Sequence, residues 1–239
     1  MYKFYGPHDY LNIKHPNIVA DLSKVDLGNY VIPLKEEVVL KVAKFNDNLE
    51  QIVRFVDRIQ LRSLIPSQYN LDWQPLPEEC VLKNNTSTFS DGVKIVSRLT
   101  ATNDLAKIAK KYGIQPRLMV EEKIPGPQYE ISGWVSSFGI FFLPMLTQHW
   151  VGNRIVKYEP VSNAKIEQDH KTMIRKIDQM HLLPDTPFCV ETRYKNGTPR
   201  IIDFNLRLGE EKPNKGYYDL NKVNSQMIGS YNGDFSENG

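Results

Sequence analysis

Two strand-like runs that flank Asn196-Gly197 constrain the fold of this 239-residue chain more than any other feature. The segment 188–207 reads FCVETRYK, then NG, then TPRIIDFNLR. Asn-Gly between two alternating runs is the strongest short sequence signal for a β-hairpin. The sequence therefore predicts two antiparallel strands joined by a tight turn at this point.

Alternation along a strand sorts the side chains of this hairpin into two faces. Asp203, Asn205 and Arg207 share one face of the second strand, and Ile202, Phe204 and Leu206 share the other. On the first strand, Glu191 shares a face with Arg193. One face is therefore expected to pack in the core, and the other to carry a carboxylate, an amide and a guanidinium in a row.

The register of the hairpin decides whether the acidic residues meet. A strict two-residue turn would place Glu191 opposite Ile202, whereas a three-residue connection with a bulge at Gly197 places it opposite Asp203. The second register keeps the two apolar sets together. We therefore predict that Glu191 and Asp203 lie opposite each other.

Two carboxylates and an amide oxygen at close range favour a cation between them. Oxygen ligands of this kind suit Mg²⁺, with Mn²⁺ as an alternative, when water and phosphates complete the coordination. The hypothesis is a metal site formed by Glu191, Asp203 and Asn205, with Arg207 facing a negatively charged substrate. The alternative is a solvent-exposed hairpin face with a surface Glu–Arg pair.

Glu191 followed by Asp203, Asn205 and Arg207 resembles the Glu…Glu-x-Asn-x-Arg signature of ATP-grasp enzymes, especially carboxylate–amine ligases, with Asp203 in place of the commoner Glu. The resemblance implies an α+β fold in which two lobes close on a nucleotide. It also implies that the two acids and the amide hold magnesium on the phosphates of ATP. Arg207 is then a catalytic residue that stabilises an acyl phosphate.

A second motif lies upstream, where Val81-Leu-Lys83 leads into the polar segment 84–92. It resembles the strand, the phosphate-binding lysine and the phosphate loop of the same family. Lys83 is thus implied to be catalytic and cofactor-binding, with Ser90 and Gly92 as further phosphate contacts. A lysine beside a loop of backbone amides is a suitable cradle for a polyphosphate.

A third motif, residues 119–131, is similar to the nucleotide hinge of the family. The resemblance implies that Glu121, Glu122 and Ile124 present backbone groups to the adenine edge. Gln128 stands where the family usually has the Glu that binds the ribose hydroxyls. An amide can hydrogen-bond these hydroxyls, but without the assistance of a charge.

Other cations near these motifs have weaker signals. Arg154 and Lys157 lie in a region that often helps to bind the acceptor in the family, but ordinary solvated charges are an equal alternative. The family also has an earlier phosphate-binding lysine, for which Lys41 and Lys44 are candidates.

The organisation that follows has four parts. Residues 1–79 form an abbreviated N-terminal region with one amphipathic helix over 35–62, and residues 80–135 form the small lobe. Residues 136–229 form the large lobe with the metal-binding hairpin, and residues 230–239 form a flexible tail. Further expected elements are a helix from about residue 103 to Gly113, a buried strand over 138–146 and a helix over 165–183.

Composition excludes several classes of protein. With 30 basic and 28 acidic residues the chain has no general attraction for nucleic acid, and no run approaches 18 apolar residues, as a membrane span needs. Cys80 and Cys189 sit in short apolar runs, which predicts buried thiols in a reducing, cytoplasmic compartment.

The expected function is therefore ligation of a small-molecule carboxylate to a small-molecule amine, with ATP and Mg²⁺, through an acyl phosphate. An ATP-grasp kinase of small molecules, or a degenerate module that binds nucleotide or a partner without turnover, are the alternatives. The short front region leaves three alternatives open: a minimal enzyme, an altered acceptor site, or a partner that supplies the missing N-terminal domain. A homo-oligomer is a separate alternative.

Overall fold

The computed structural model describes residues 2–6, 17–34, 36–56, 68–69, 78–84, 93–97, 118–151, 154–179, 185–208 and 220–233. These residues form three sheets and four α-helices. The described part is a mixed α+β structure, as the sequence predicts.

The first sheet is parallel and lies at the start of the chain. Its strands are β1 (Tyr2–Tyr5), β2 (Ile18–Val19) and β3 (Tyr30–Pro33), in the order β2-β1-β3. A 3-10 turn at Leu22–Lys24 separates β2 from β3.

The single helix expected over 35–62 is two helices, α1 (Glu36–Phe45) and α2 (Leu49–Val56). The side chain of Asn46 interrupts the helix, because it accepts from the backbone N–H of Val31 at 2.9 Å and donates to the carbonyl of the same residue at 2.6 Å. Asp47 then adopts a left-handed conformation, with φ of 56°. Residues 57–62 lie outside the described residues.

The second sheet is antiparallel and contains the strand that ends near Lys83. It comprises β4 (Gln68–Tyr69), β5 (Glu79–Asn84), β6 (Lys94–Ser97) and β7 (Leu118–Glu122), in the order β4-β7-β5-β6. The segment 85–92, which is expected to be a phosphate loop with Ser90 and Gly92, and the helix expected near residues 103–113 lie outside the described residues.

The third sheet has six strands and carries the predicted hairpin. Its strands are β8 (Gln128–Ser136), β9 (Gly139–Phe142), β10 (Leu146–Val151), β11 (Arg154–Pro160), β12 (Pro187–Lys195) and β13 (Thr198–Asn205). They follow the order β11-β10-β8-β12-β13, with β9 paired to β8. Helices α3 (Ala164–Gln179) and α4 (Leu220–Asn232) complete the described fold.

Three expectations about these elements need correction. The apolar run 138–146 is not one strand, because the segment 143–145, which contains Pro144, separates β9 from β10 and proline cannot donate to a ladder. Strand β8 ends at Ser136, one residue past the expected boundary at residue 135, and it pairs with β10 and β12 in the third sheet. Helix α4 continues to Asn232, beyond the expected start of the tail, because Ser230 and Tyr231 are buried.

One face of the third sheet packs against helices and forms the main core. Ile131, Val190 and Phe204 from the sheet pack in one cluster with Phe55 of α2 and Ile174 of α3. Since this face is apolar, alternation leaves the other face of β8, β12 and β13 for polar side chains.

Cys80 and Cys189 are both buried and free, as the sequence predicts. Burial raises the pKa of both thiols. Among the described helices, none is both long enough and apolar enough to cross a membrane.

Candidate functional site

The polar face of the third sheet brings acidic residues from three strands together. Glu191 on β12 lies opposite Asp203 on β13 and opposite Glu130 on β8. Glu130 is buried, and Asp203 is half-buried. The predicted pairing of Glu191 with Asp203 is confirmed, and the register adds Glu130, which sequence reasoning missed.

The bulge that creates this pairing is not where the sequence predicts it. The hairpin has a strict two-residue turn, with Lys195 opposite Thr198 and positive φ angles at Asn196 and Gly197. The register shifts further along, between Glu191 and Thr192, and Ile202 on β13 is the extra residue. A bulge at Gly197 is therefore wrong, although the pairing derived from it is correct.

The bulge changes which residues face the core. Ile201 is buried and belongs to the core cluster, whereas Ile202 is half-buried. The expectation that Ile202 packs with Phe204 and Leu206 is therefore corrected, because the extra residue reverses the alternation at this point.

Lys83 reaches the bulge from the second sheet. Its Nζ donates to the backbone carbonyl oxygen of Ile202 at 2.5 Å and forms an ion pair with Glu121 Oε2 at 2.6 Å. Lys83 and Glu121 are both buried, and they lie on neighbouring strands β5 and β7. The lysine thus connects the second sheet to the residue that precedes Asp203.

The pKa of Glu191 reflects its burial and two neighbouring carboxylates. Burial raises its pKa to about 7, with Asp203 and Glu130 adding to the rise, while a hydrogen bond from Gln148 and the charge of Lys83 act in the opposite direction. A cation beside Glu191 would favour its ionised form.

Two glutamine amides also hold the acidic residues. Gln128 Nε2 donates to Glu191 Oε2 at 2.9 Å, and Gln148 Nε2 donates to Glu130 Oε2 at 2.9 Å and more distantly to Glu191 Oε1 at 3.4 Å. Tyr158 OH donates to Glu130 at 3.3 Å, and burial beside that carboxylate raises the pKa of Tyr158. Glu130 lies two positions from Gln128, so strand alternation was the available sequence signal that the two share a face. The contacts of Gln148 and Tyr158 with Glu130 depend on the order of the strands, which the sequence does not show.

The residues of the predicted hinge lie at the end of β7 and in the segment that leads from β7 to β8. Glu121 is buried, and its Oε1 has no hydrogen-bond partner within the part of the chain that the structure describes. Glu122 forms an ion pair with Lys195 of β12. Ile124 is buried, and its carbonyl oxygen accepts a hydrogen bond from Arg193 at 3.0 Å.

Asn205 and Arg207 follow Asp203 at the end of the hairpin. Asn205 Nδ2 lies 3.5 Å from Asp203 Oδ2, and the Arg207 guanidinium donates to the carbonyl of Leu208 at 3.0 Å. The charge of Arg207 acts on the buried thiol of Cys189, opposite Asn205, and opposes the burial that raises its pKa. Arg207 thus lies near the end of the acidic row.

Among the other predicted cations, the described side chains of Lys157 and Lys41 make their contacts elsewhere. Lys157 forms an ion pair with Glu159. It is adjacent to Tyr158, whose hydroxyl donates to Glu130, so Lys157 lies on the opposite face of β11. Arg154 begins β11, but its side chain lies outside the described structure. Lys41 is exposed and donates to Tyr5 OH at 3.0 Å, and Lys44 is exposed on α1.

Known structures resemble this fold over most of the chain. An L-amino acid ligase from Bacillus licheniformis is 14% identical with a TM-score of 0.60, covering 83% of this chain and 55% of the ligase. A biotin carboxylase from Campylobacter jejuni is 14% identical with a TM-score of 0.66, covering 87% of this chain and 55% of the carboxylase. An N5-carboxyaminoimidazole synthetase from Staphylococcus aureus is 12% identical with a TM-score of 0.62, covering 83% of this chain and 60% of the synthetase.

This chain has the ATP-grasp fold. Both the predicted fold class and the predicted relation to the ATP-grasp superfamily are confirmed. In this ATP-grasp fold, the second and third sheets are the elements that carry the lysine and the acidic residues of the motifs.

Sequence comparison gives the same relation to ATP-grasp proteins. The phosphoribosylamine–glycine ligases of Methanococcus vannielii and Methanococcus maripaludis are each 28% identical over 115 residues. These residues make up 46% of this chain and 23% of each ligase, so the chain matches less than a quarter of the length of these relatives. No family model matches the chain.

The acidic residues fit the Mg²⁺ that the ATP-grasp relation implies. Within the described ranges no group of three or more His, Cys, Asp or Glu has the arrangement of a metal centre. Magnesium, however, is usually held by one or two carboxylates with water and substrate phosphates. The facing pair Glu191 and Asp203, with the amide of Asn205, is a donor set of that kind.

Proposed function

We propose that this chain binds ATP with Mg²⁺ between its second and third sheets and uses them to join a carboxylate to an amine. The observation that carries the proposal is the facing pair Glu191 and Asp203. Lys83 reaches across from the second sheet to the bulge residue Ile202, which directly precedes Asp203. This arrangement combines a site for a divalent metal ion with the buried ammonium group of Lys83, which can bind a polyphosphate.

Glu191, Asp203 and Asn205 would hold the magnesium, which supplies neutralisation of the phosphate charge. Support comes from the raised pKa of Glu191, since burial and two neighbouring carboxylates disfavour its charged form. A bound divalent cation removes that repulsion and favours the ionised form of both acids.

Lys83, with Ser90 and Gly92 of the loop, would hold the phosphates of ATP. The backbone of Glu121, Glu122 and Ile124 would meet the adenine edge. The buried Oε1 of Glu121, which lacks a partner in the described part, could accept the exocyclic amino group of the base.

The reaction in this proposal has two steps with balanced bonds. An oxygen of the substrate carboxylate attacks the γ-phosphorus, the bond to the β-phosphate oxygen breaks, and ADP leaves. The amine nitrogen then attacks the acyl carbon, phosphate leaves with the bonding electrons, and the amine loses a proton to water. Arg207 would stabilise the negative charge of the acyl phosphate, and no general base is required because positioning and charge neutralisation dominate such reactions.

The names of relatives support a ligase over a kinase. The matched proteins include an L-amino acid ligase and two phosphoribosylamine–glycine ligases. A module without turnover is the second candidate, favoured by Gln128. Its amide already donates to Glu191, and it stands where the family usually has a charged ribose ligand.

Calorimetric titration of ATP, with and without Mg²⁺, tests the site in wild-type protein and in Asp203→Ala. We expect binding that depends on magnesium and is lost in the variant, and ADP formation that is abolished with it. Equal binding and turnover in wild type and Asp203→Ala would reject the proposal.

The reaction class is tested by mixing ATP with candidate acids and amines and measuring ADP. A ligase needs both substrates, and hydroxylamine traps its acyl phosphate as a hydroxamate. ADP formation with an alcohol, and with no need for an amine, would identify a kinase. Binding without ADP under every mixture would favour the module without turnover.

A further inference from the structure

Arg193 holds the segment that connects the second sheet to the third. Its Nη1 donates to the carbonyl oxygens of Ile124 at 3.0 Å and Gly126 at 2.9 Å. These carbonyls belong to residues 123–127, which link β7 to β8. One guanidinium on the hairpin therefore fixes the hinge between the two sheets that form the proposed nucleotide site.

The same guanidinium also orients the amide of Gln128. Arg193 Nη2 donates to Gln128 Oε1 at 3.2 Å, and Gln128 Nε2 donates in turn to Glu191 Oε2 at 2.9 Å. The opposite orientation of the amide would set its oxygen against the carboxylate and its N–H groups against the guanidinium. Both contacts therefore favour a single orientation.

We propose that Arg193 is a positioning residue, which acts through the hinge and through Gln128 to set the nucleotide site and the Glu191 carboxylate. This inference rests on the proposed function and adds Arg193, to which none of the sequence motifs assigns a role. Arg193 lies two positions from Glu191 on the same face of β12, so one strand carries both the acid and the group that orients it.

The proposal explains why Gln stands at position 128. A carboxylate there would lie against Glu191 Oε2 and would lack the N–H that now donates to it. It would also pair with Arg193 and weaken the hold of the guanidinium on the hinge carbonyls. Gln128→Glu, which introduces the residue common in the family, is therefore expected to weaken magnesium-dependent ATP binding in this chain.

The test compares Arg193→Met, Arg193→Lys and Gln128→Glu with Arg175→Met as the matched control. Arg175 lies on α3 and stacks on Phe142, with its guanidinium carbon 5.2 Å from the ring centroid, away from the hinge. We expect Arg193→Met to weaken MgATP binding at least tenfold, measured well below the melting temperature of every variant. Arg193→Lys should recover part of the affinity, and Arg175→Met should match wild type.

A second measurement separates this inference from the proposed function. Hydrogen exchange of residues 123–128 without nucleotide is expected to be faster in Arg193→Met than in wild type and in Arg175→Met. If wild type does not bind MgATP, the proposed function fails, and the exchange data alone decide the role of Arg193 in the hinge.

Two results would overturn the inference. Where wild type binds MgATP, equal affinity in Arg193→Met rejects the positioning role whatever the exchange shows. Where wild type does not bind, unchanged exchange in Arg193→Met rejects it. Equal or tighter binding by Gln128→Glu rejects the part that concerns the orientation of the amide.

Discussion

The ammonium of Lys83 lies 2.5 Å from the carbonyl oxygen of Ile202, which joins a strand of the second sheet to the bulge of the third. The same ammonium lies 2.6 Å from Glu121 Oε2. The bulge that places Asp203 opposite Glu191 thus also supplies the acceptor for Lys83.

Replacing Lys83 with methionine should destabilise the protein strongly, because the buried carboxylate of Glu121 loses its counterion. Removal of one partner from a buried pair typically costs about 3–5 kcal/mol. Urea denaturation measures the change in the free energy of unfolding. The double variant Lys83→Met/Glu121→Met should be more stable than Lys83→Met alone.

The control for this prediction is Lys123→Met, which removes a more exposed ion pair of the same region, Lys123 with Glu79 at 2.9 Å. Exposed pairs contribute about 1 kcal/mol or less. Equal losses of stability in Lys83→Met and Lys123→Met would contradict a buried, structural pair at Lys83.

The stability of the metal-free protein should fall as the pH rises from about 4.5 to about 7. The pKa of Glu191 is raised from 4.5 to about 7 in the folded state, mainly by burial and then by Asp203 and Glu130, so the folded state binds the proton more tightly than the unfolded chain. This stabilisation is fully present below the pKa of Glu191 in the unfolded chain, 4.5. It is lost as the pH rises through the pKa of the folded state, about 7. Its size is on the order of 3 kcal/mol.

Denaturation at pH 5 and pH 8 in a chelator measures this effect, with Glu191→Gln as the comparison. Glutamine does not titrate, so the variant should lose most of the difference between the two pH values. A pH dependence equal to that of wild type would show that another group is responsible.

Millimolar Mg²⁺ at pH 8 should raise the melting temperature of wild type, since a cation between Glu191 and Asp203 relieves their repulsion and binds the folded state selectively. Asp203→Asn should lose the increase. Asp169→Asn, which alters an acid on α3 that pairs with Lys165, should keep it. A shift retained in Asp203→Asn would place the cation elsewhere.

Gly133→Ala should destabilise the third sheet. A Cβ at this position would lie 2.0 Å from the carbonyl oxygen of Phe141 and 2.8 Å from Phe188 Cζ, so a paired backbone must move. Overpacking of a core costs about 1–3 kcal/mol, and a backbone clash belongs at the upper end of that range. Gly28→Ala is the control, because no atom lies within 4 Å of its added Cβ. Similar melting temperatures for the two variants would contradict this packing.

Local patterns predicted much of the hairpin. Asn196-Gly197 specifies the turn because both residues take positive φ angles there, and alternation sorted the residues of each strand onto two faces. The position of the bulge was beyond local reasoning. Ile201 and Ile202 are equally apolar, and the structure distinguishes them because one packs in the core while the carbonyl of the other meets Lys83 from a different sheet.

The break between α1 and α2 has the same kind of origin. The periodicity of residues 35–62 fits one helix, and the competing contact of Asn46 is with Val31, fifteen residues earlier in the chain. Hydrogen bonds of that range depend on where β3 lies, which helix periodicity does not encode.

By itself the sequence determined the α+β class, the motifs that indicate an ATP-grasp relation and the pairing of Glu191 with Asp203, because each follows from spacing within a segment or from the need to bury apolar residues together. Tertiary structure alone decided the position of the bulge, the contact of Lys83 with Ile202, and the hydrogen bonds from Arg193 through Gln128 to Glu191. Those features join residues about 60 to 120 positions apart or depend on such contacts. They are set by the order of the strands and the packing of one sheet against another, which no local pattern specifies.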